Sequence, residues 1–332
     1  MKVAVFNTHE FEKKYFEEEC KKHSHELIFF KERLTEETAT KAFGYPCICA
    51  FLNDVLDSRT LSILSQGGTK LVALRSGGFN HVDLNACEKY GLRVVYAPNF
   101  SPHAVAEHAA SLILTLDRKI NRSFNRVREG NFSIDGLEGF DLYNKTVGVM
   151  GTGKIGSCLA KIMIGFGCIV LAHDLVHNPK LTNIGVEYVS LDKLLSTSDI
   201  ISLHLPLTTK THYIIDKKAL LKVKPGVMII NTGRGALIDT KELIDSLKSG
   251  VVGFAGLDVY EKEEGVFFED RTGKILEDDL LSRLINFPNV ILTSHHAFLT
   301  KEALRNIAQI TLQNIEDFEL GRELVNDVPL GQ

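Results

Sequence analysis

Short apolar runs alternate along the chain with longer stretches whose apolar residues recur every three or four positions. The first hundred residues hold five such runs: Val3–Phe6, Leu27–Phe30, Cys47–Phe51, Leu71–Leu74 and Arg93–Tyr96. Each has the length of a buried strand, and the stretches between them, such as Glu10–Lys22, read as helices. Next comes Ser101-Pro102, a good N-cap followed by a residue favoured in the first helical turn. Ala104, Val105, His108, Ala109, Leu112, Ile113 and Leu116 follow at helical spacing, which predicts a long helix over 103–119 leaving a first small domain. A second series has strands at Thr146–Met150, Cys168–His173, Ile200–His204, Val227–Asn231, Phe254–Val259 and Val290–Thr293. The last amphipathic stretch, Lys301 to about Leu320, has no strand left to cover there, so it is expected to return to the first domain. Strands alternating with helices predict the α/β class, as two Rossmann-like, doubly wound parallel-sheet domains with a cleft between them.

Composition narrows the class. A chain of 332 residues suggests about two domains and ample core. A net charge of −4 argues against nucleic-acid binding by bulk electrostatics and against a polybasic membrane surface. No apolar run approaches the roughly 18 residues of a membrane helix. The run Val3–Phe6 is too short for a signal peptide, so a cytoplasmic location is expected. Cys20, Cys47, Cys49, Cys87, Cys158 and Cys168 form no C-x-x-C and read as reduced thiols. The histidines show no H-E-x-x-H, and no catalytic metal is expected.

Gly151-Thr152-Gly153-Lys154-Ile155-Gly156 is G-x-G-x-x-G with a strand before it and a helix after it. The first glycine permits the turn, the second lets a pyrophosphate approach, and the third lets helix and strand pack closely. The helix N-terminus offers free N–H groups to the phosphates. Asp174 ends the next strand, eighteen residues on from Gly156, where an acid would bond the ribose hydroxyls and repel a 2′-phosphate. No arginine follows within Leu175-Val176-His177, which favours NAD over NADP.

Three further segments place charged or titratable residues at strand C-terminal ends, where such sheets bind ligands. Arg234, between Gly233 and Gly235, can aim a planar fork at a carboxylate. Asp258 ends a strand and Glu263 follows in a loop. His295 and His296 end another, and a histidine there is a candidate general acid/base. A carboxylate bonded to it would hold its tautomer and favour the imidazolium. Together with the cofactor fingerprint, Arg, Glu and His suit hydride transfer to a 2-oxo acid.

The sequence resembles the D-specific 2-hydroxyacid dehydrogenases. The likeness runs through Leu74–Asp83, Ser101–His108, Gly151–Gly156, Ser202–Thr208, Asn231–Ala236, Asp258–Glu261 and His295–Phe298, and Gly265–Asp270 narrows it to the lactate branch. The resemblance implies a substrate-binding, flavodoxin-like domain of residues 1–100 plus 300–332 and an NAD-binding Rossmann domain of residues 101–299. It implies reduction of pyruvate to D-lactate by NADH, with longer 2-oxo acids as alternative substrates. An NAD-sensing corepressor of the same fold is the alternative from another class. Arg234 would bind substrate, His295 would be the acid/base and Glu263 its partner. The backbone of Gly77 and Gly78 would bind the carboxylate, and Phe51, Phe100 and Phe298 would wall the methyl pocket. Lys154 and Ile155 would present amides to the pyrophosphate. His204, Leu205, Pro206, Thr232 and Gly233 would line the cofactor, with Thr211 near the adenine and Asp258 on the nicotinamide carboxamide. Phe100 stands where lactate enzymes usually carry Tyr, and Thr211 where many relatives carry Asn. The resemblance further implies a homodimer or homotetramer, a small-molecule substrate as the other partner, and closure through hinges near residues 101 and 299.

Overall fold

A computed structural model describes residues 1–330. The chain divides into two compact units, Met1–Ser101 with the chain from Leu299 on, and Pro102–Phe298. Ser101 and Leu299 thus fall with the first unit, one residue beyond the expected limits at each crossing.

The first unit opens with β1 (Lys2–Val5), α1 (Glu10–Cys20), β2 (Glu26–Phe29), β3 (Cys47–Ala50), α2 (Ser58–Gln66), β4 (Leu71–Leu74), α3 (Leu84–Tyr90) and β5 (Arg93–Val95). The second unit contains α4 (Pro102–Arg118), α5 (Ile120–Arg128), β6 (Thr146–Met150), α6 (Lys154–Gly165), β7 (Ile169–His173), α7 (Pro179–Thr182), β8 (Glu187–Tyr188), α8 (Leu191–Thr197) and β9 (Ile200–Leu203). It continues with α9 (Lys217–Leu220), β10 (Val227–Asn231), α10 (Thr240–Ser249), β11 (Val252–Leu257), α11 (Asp279–Leu284) and β12 (Val290–Leu292). The chain then re-enters the first unit as α12 (Lys301–Glu319).

In the first unit five parallel strands run in the order β2-β1-β3-β4-β5. All five run parallel, so the loops after β1, β3 and β4 lie at the same, C-terminal end of the sheet. Phe6, Ile48, Leu74 and Val94 are buried in a core that Leu34, Leu56 and Val328 complete. The runs Val3–Phe6 and Cys47–Phe51 outlast their strands because Phe6 and Phe51 stay buried after the ladder ends. As expected, α12 packs in this unit, against α1 and β4. Thr300 caps it by accepting the Ala303 N–H at 3.2 Å. Glu316 pairs with His23 at 3.2 Å, and Glu319 pairs with His25 at 3.2 Å. Beyond α12 the chain pairs antiparallel with β5, through Tyr96 N–H to Asn326 at 3.1 Å and Val328 N–H to Val94 at 2.8 Å. Those few polar-flanked residues carry no strand periodicity, and the purely parallel expectation did not include them.

In the second unit seven parallel strands run β12-β11-β10-β9-β6-β7-β8. The order reverses between β6 and β9, which is where such sheets open a ligand crevice. One face is sealed by α4 and α6 through Ala109, Leu112, Ile113, Leu159 and Met163. The other is sealed by residues of α8, α9 and α10, including Leu194, Leu220, Leu243 and Leu247. The predicted long helix ends at Arg118, because Lys119 adopts φ +49° and a separate helix, α5, restarts after it. No helix among the described residues is long and apolar enough to cross a membrane.

Candidate active site and dinucleotide cradle

The loop after β6 turns at Gly151, whose φ is +90°. A Cβ there would lie 2.5 Å from the His204 carbonyl oxygen, and one on Gly156 would lie 1.9 Å from the Gly151 oxygen. Only glycine fits either place, and Gly153 between them faces open space. Helix α6 starts at Lys154 with no side chain capping it, so its first N–H groups remain on offer to an anion.

Asp174, after β7, folds back on this loop. Its carboxylate accepts the Thr152 N–H at 2.5 Å and the Thr152 hydroxyl at 3.0 Å. Burial pushes its carboxyl up, but the bonds from Thr152, Val176 and Leu175 outweigh burial and hold it below the ordinary carboxylate range. Thr152 is tied in turn by the Tyr188 hydroxyl at 2.9 Å. Thr152 and Tyr188 were not singled out from sequence: one is an unspecified x of the motif, the other belongs to a two-residue edge strand.

His204 follows β9 across the switch point. Its N–H donates to Met150 at 2.7 Å and its imidazole meets Ser202 Oγ at 2.9 Å. Burial lowers its pKa to about 4, so it is a neutral wall of the crevice. Leu205 lies over Gly151. Thr211 closes the Pro206–Thr211 turn, donating to the Pro206 carbonyl at 2.6 Å. Thr232 is buried, and its hydroxyl has no partner among the described residues. An unsealed helix start, a loop with no room for side chains at Gly151 and Gly156, an oriented acid and an orphaned hydroxyl fit a dinucleotide.

Arg234 sits in a turn after β10 that Asn231 shapes. The Asn231 side chain accepts the Gly233 N–H at 3.0 Å and donates to the Arg234 carbonyl at 2.9 Å. A Cβ on Gly235 would lie 2.0 Å from the Tyr260 carbonyl carbon, so this glycine lets the arginine turn lie directly on the 260–261 backbone. The half-buried guanidinium makes one hydrogen bond, from Nη1 to the Gly233 carbonyl at 2.8 Å. Burial lowers its pKa, while Glu263 acts the other way. The remaining donors of the fork are uncommitted within the unit.

Glu263 accepts the Tyr260 N–H through Oε1 at 2.9 Å and meets His295 Nδ1 through Oε2 at 2.7 Å. The carboxylate accepts, so Nδ1 carries the proton and Nε2 is the free end of the ring. Both side chains keep a little under a fifth of their surface open, at 17% for His295 and 18% for Glu263. The Phe268 ring lies against the imidazole at 5.8 Å. Asp258, by contrast, is fully buried. Its carboxylate accepts the His296 and Ala297 N–H groups, each at 2.9 Å, and the Thr293 hydroxyl at 2.7 Å. It acts here as an internal strut of the histidine turn.

Ile155 follows Lys154 in the first turn of α6. The substrate-pocket residues named from sequence lie in the first unit, except Phe298, which is buried in the second. Gly77 is exposed and Gly78 half-buried, after β4. A Cβ on Gly77 would lie 3.2 Å from the Phe100 ring, so these two are immediate neighbours. Phe51 is buried, with the Arg75 guanidinium 4.9 Å from its ring centroid.

The defining pattern of the D-isomer specific 2-hydroxyacid dehydrogenase NAD-binding domain matches residues 110–297. The chain is 46% identical to the D-lactate dehydrogenase of Escherichia coli over 328 residues, 99% of this chain and 100% of that one. Its structure superposes at a TM-score of 0.93 on the pyruvate reductase of Chlamydomonas reinhardtii, with 43% identity over 98% of both chains. It superposes at 0.88 on a D-lactate dehydrogenase from Aquifex aeolicus complexed with NAD and lactic acid, with 35% identity over 99% of both chains. The glycine cradle and the Arg234, Glu263 and His295 group therefore lie in a member of the D-isomer specific 2-hydroxyacid dehydrogenase family. It is an NAD-dependent oxidoreductase.

Proposed function

We propose that this enzyme reduces pyruvate to D-lactate, with Arg234 holding the substrate carboxylate and His295 giving the proton to the carbonyl oxygen. The observation that carries the reading is the 2.7 Å contact between Glu263 and His295 Nδ1, in the same unit as an arginine whose fork is almost unused. Bound NADH supplies the hydride to the carbonyl carbon. As the carbonyl electrons move to oxygen, that oxygen takes the proton from His295 Nε2. Glu263 faces the opposite ring nitrogen and stabilises the imidazolium before transfer. Arg234 offers two parallel N–H donors, which suits a carboxylate better than a single point charge. Asp174 receives the ribose, Lys154 and Ile155 the pyrophosphate, and His204 to Pro206 with Thr211, Thr232 and Gly233 the rest of the cofactor. The resemblance assigns Gly77, Gly78, Phe51, Phe100 and Phe298 to the substrate. The names of the E. coli and Chlamydomonas relatives support pyruvate as the substrate.

The proposal includes self-association through α5, whose nine residues bury nothing within the unit. Ile120, Phe124 and Val127 are about half exposed there, and Phe132 and Ile134 follow at 76% and 81%. A second copy would cover this apolar face. Six free thiols suit a reducing compartment and support a cytoplasmic location.

The test is NADH oxidation with pyruvate beside a bulkier 2-oxo acid, with the product resolved by chirality. Faster pyruvate turnover to D-lactate supports the reading, whereas a clear preference for the bulkier acid overturns the substrate assignment. His295→Ala is expected to lose about 10²–10⁴ in rate, the usual worth of general acid catalysis. An undiminished rate would remove His295 from the mechanism.

A further inference from the structure

His295 is held in an unusual backbone. Ser294 has φ +40° and His295 has φ +57°, two successive non-glycine residues in the left-handed region. Each such residue is strained and persists only where its surroundings over-determine it. Asp258 provides that restraint. Its carbonyl accepts the His295 N–H at 2.5 Å, and its two carboxylate oxygens accept the N–H groups of His296 and Ala297, each at 2.9 Å.

The carboxylate is itself anchored from outside the turn. The Thr293 hydroxyl donates to Asp258 Oδ1 at 2.7 Å, and His108 Nε2 lies 3.0 Å from the same hydroxyl oxygen. A threonine hydroxyl has one proton, and that proton is committed to Asp258. Its oxygen therefore accepts from His108, which must carry its proton on Nε2. His108 projects from α4, is half-buried, and is covered edge-on by the His296 ring at 4.8 Å. Burial disfavours its imidazolium. The ligand atoms of His108, Asp258 and His296 lie within 4.8 Å of one another, a spacing a metal ion could bridge. The Thr293 hydroxyl and the His296 N–H already occupy Oδ1, so the geometry favours a closed hydrogen-bond chain.

We propose that Thr293 and His108 are positioning residues for His295: the chain His108 Nε2–H to Thr293 Oγ–H to Asp258 fixes the strut that aims the imidazole at Glu263. The proposal rests on the assignment of His295 as proton donor. Neither residue touches the reacting atoms. Losing the chain frees the Asp258 carboxylate to turn, lets the left-handed pair relax, and lengthens the His295–Glu263 contact.

The test compares Thr293→Val, Thr293→Ser, His108→Phe and His295→Ala with the unaltered enzyme. It measures kcat and KM for pyruvate, the dissociation constant for NADH, the melting temperature and the proton resonance of His295 Nδ1–H. Thr293→Val is expected to lower kcat about ten- to a hundredfold, the scale set by slight misplacement of a reacting group. NADH affinity should change less than threefold, and the Nδ1–H resonance should shift or broaden. Thr293→Ser keeps the hydroxyl and should restore kcat to within about threefold, while His108→Phe should fall between the two. A purely structural role would lower the melting temperature without this pattern of rescue. A Thr293→Val enzyme with kcat within twofold, beside a slow His295→Ala, overturns the positioning chain and leaves His295 as the donor. A fast His295→Ala overturns both. If Thr293→Val fails to fold, His108→Phe decides: an unchanged kcat and Nδ1–H resonance overturn the proposal.

Discussion

Each unit carries an arginine and a glutamate beyond its strand ends, and the two pairs are used in opposite ways. In the first unit Arg75 is fully enclosed and every arm of its fork is engaged. It meets Glu12 twice, at 2.9 and 3.0 Å, and donates to the carbonyls of Phe6, Asn7 and Cys49 at 2.7, 2.8 and 3.1 Å. It thereby ties together the C-terminal ends of β1 and β3 from its own place after β4. In the second unit Arg234 is half-buried, makes one hydrogen bond, and faces a glutamate that is spoken for by a histidine. A buried ion pair with every donor used is costly to break, whereas an arginine with donors left over can take up a carboxylate.

The sharpest way to break this contrast is to remove each arginine. Arg234→Ala should cost about 3–6 kcal/mol of transition-state binding, the worth of two hydrogen bonds to a charged group. That appears as a fall in kcat/KM for pyruvate of about two to four orders of magnitude, with a melting temperature that barely moves. Arg75→Leu should do the reverse. It strands the Glu12 carboxylate in the core and should cost about 3–5 kcal/mol of stability, read by denaturant unfolding. If Arg75→Leu unfolds normally and only slows turnover, the division between strut and reagent is wrong.

Asp54 sharpens the comparison through pH. It lies beside Arg75 and accepts the N–H groups of Leu34 and Phe51, at 2.8 and 2.6 Å. Burial raises its pKa to about 6, against the opposing pull of Arg75 and those two bonds. A carboxyl raised in the folded state binds its proton more tightly there than in the unfolded chain. Its favourable contribution is therefore whole below about pH 4 and is lost as pH rises towards 6, a change on the order of 2–3 kcal/mol. Carbon-13 NMR of the Asp54 carboxyl should titrate near pH 6; a midpoint near 4 would show that Arg75 outweighs burial. The smallest effect is expected at Ser294→Gly. Relieving φ +40° there should raise stability by up to about 1 kcal/mol. A loss of stability would show that the Ser294 side chain makes a compensating contact.

Much of the site was legible in the sequence because its parts are local. Gly151 to Gly156 and Asp174 stand on one βαβ stretch, where spacing alone implies which groups meet. The turn that shows Arg234 is built from its neighbours Asn231, Gly233 and Gly235. The strut system was not legible. His108 and Thr293 are 185 positions apart, and His108 satisfied the apolar spacing of α4 well enough to read as core. Glu12 and Arg75 likewise sit in α1 and after β4, with nothing in either neighbourhood to announce a pair.

The amino-acid order by itself determined the alternation of strand and helix and the dinucleotide loop, and it brought Arg234, Glu263 and His295 forward as candidates. Periodicity and glycine placement act over a few residues, so they survive without knowledge of the fold. Tertiary structure decided which charges are sealed and which are free, that Asp258 faces inward under the histidine turn, and that His295 takes a left-handed backbone. These depend on burial and on partners brought together from distant strands, and burial is a property of the packed chain.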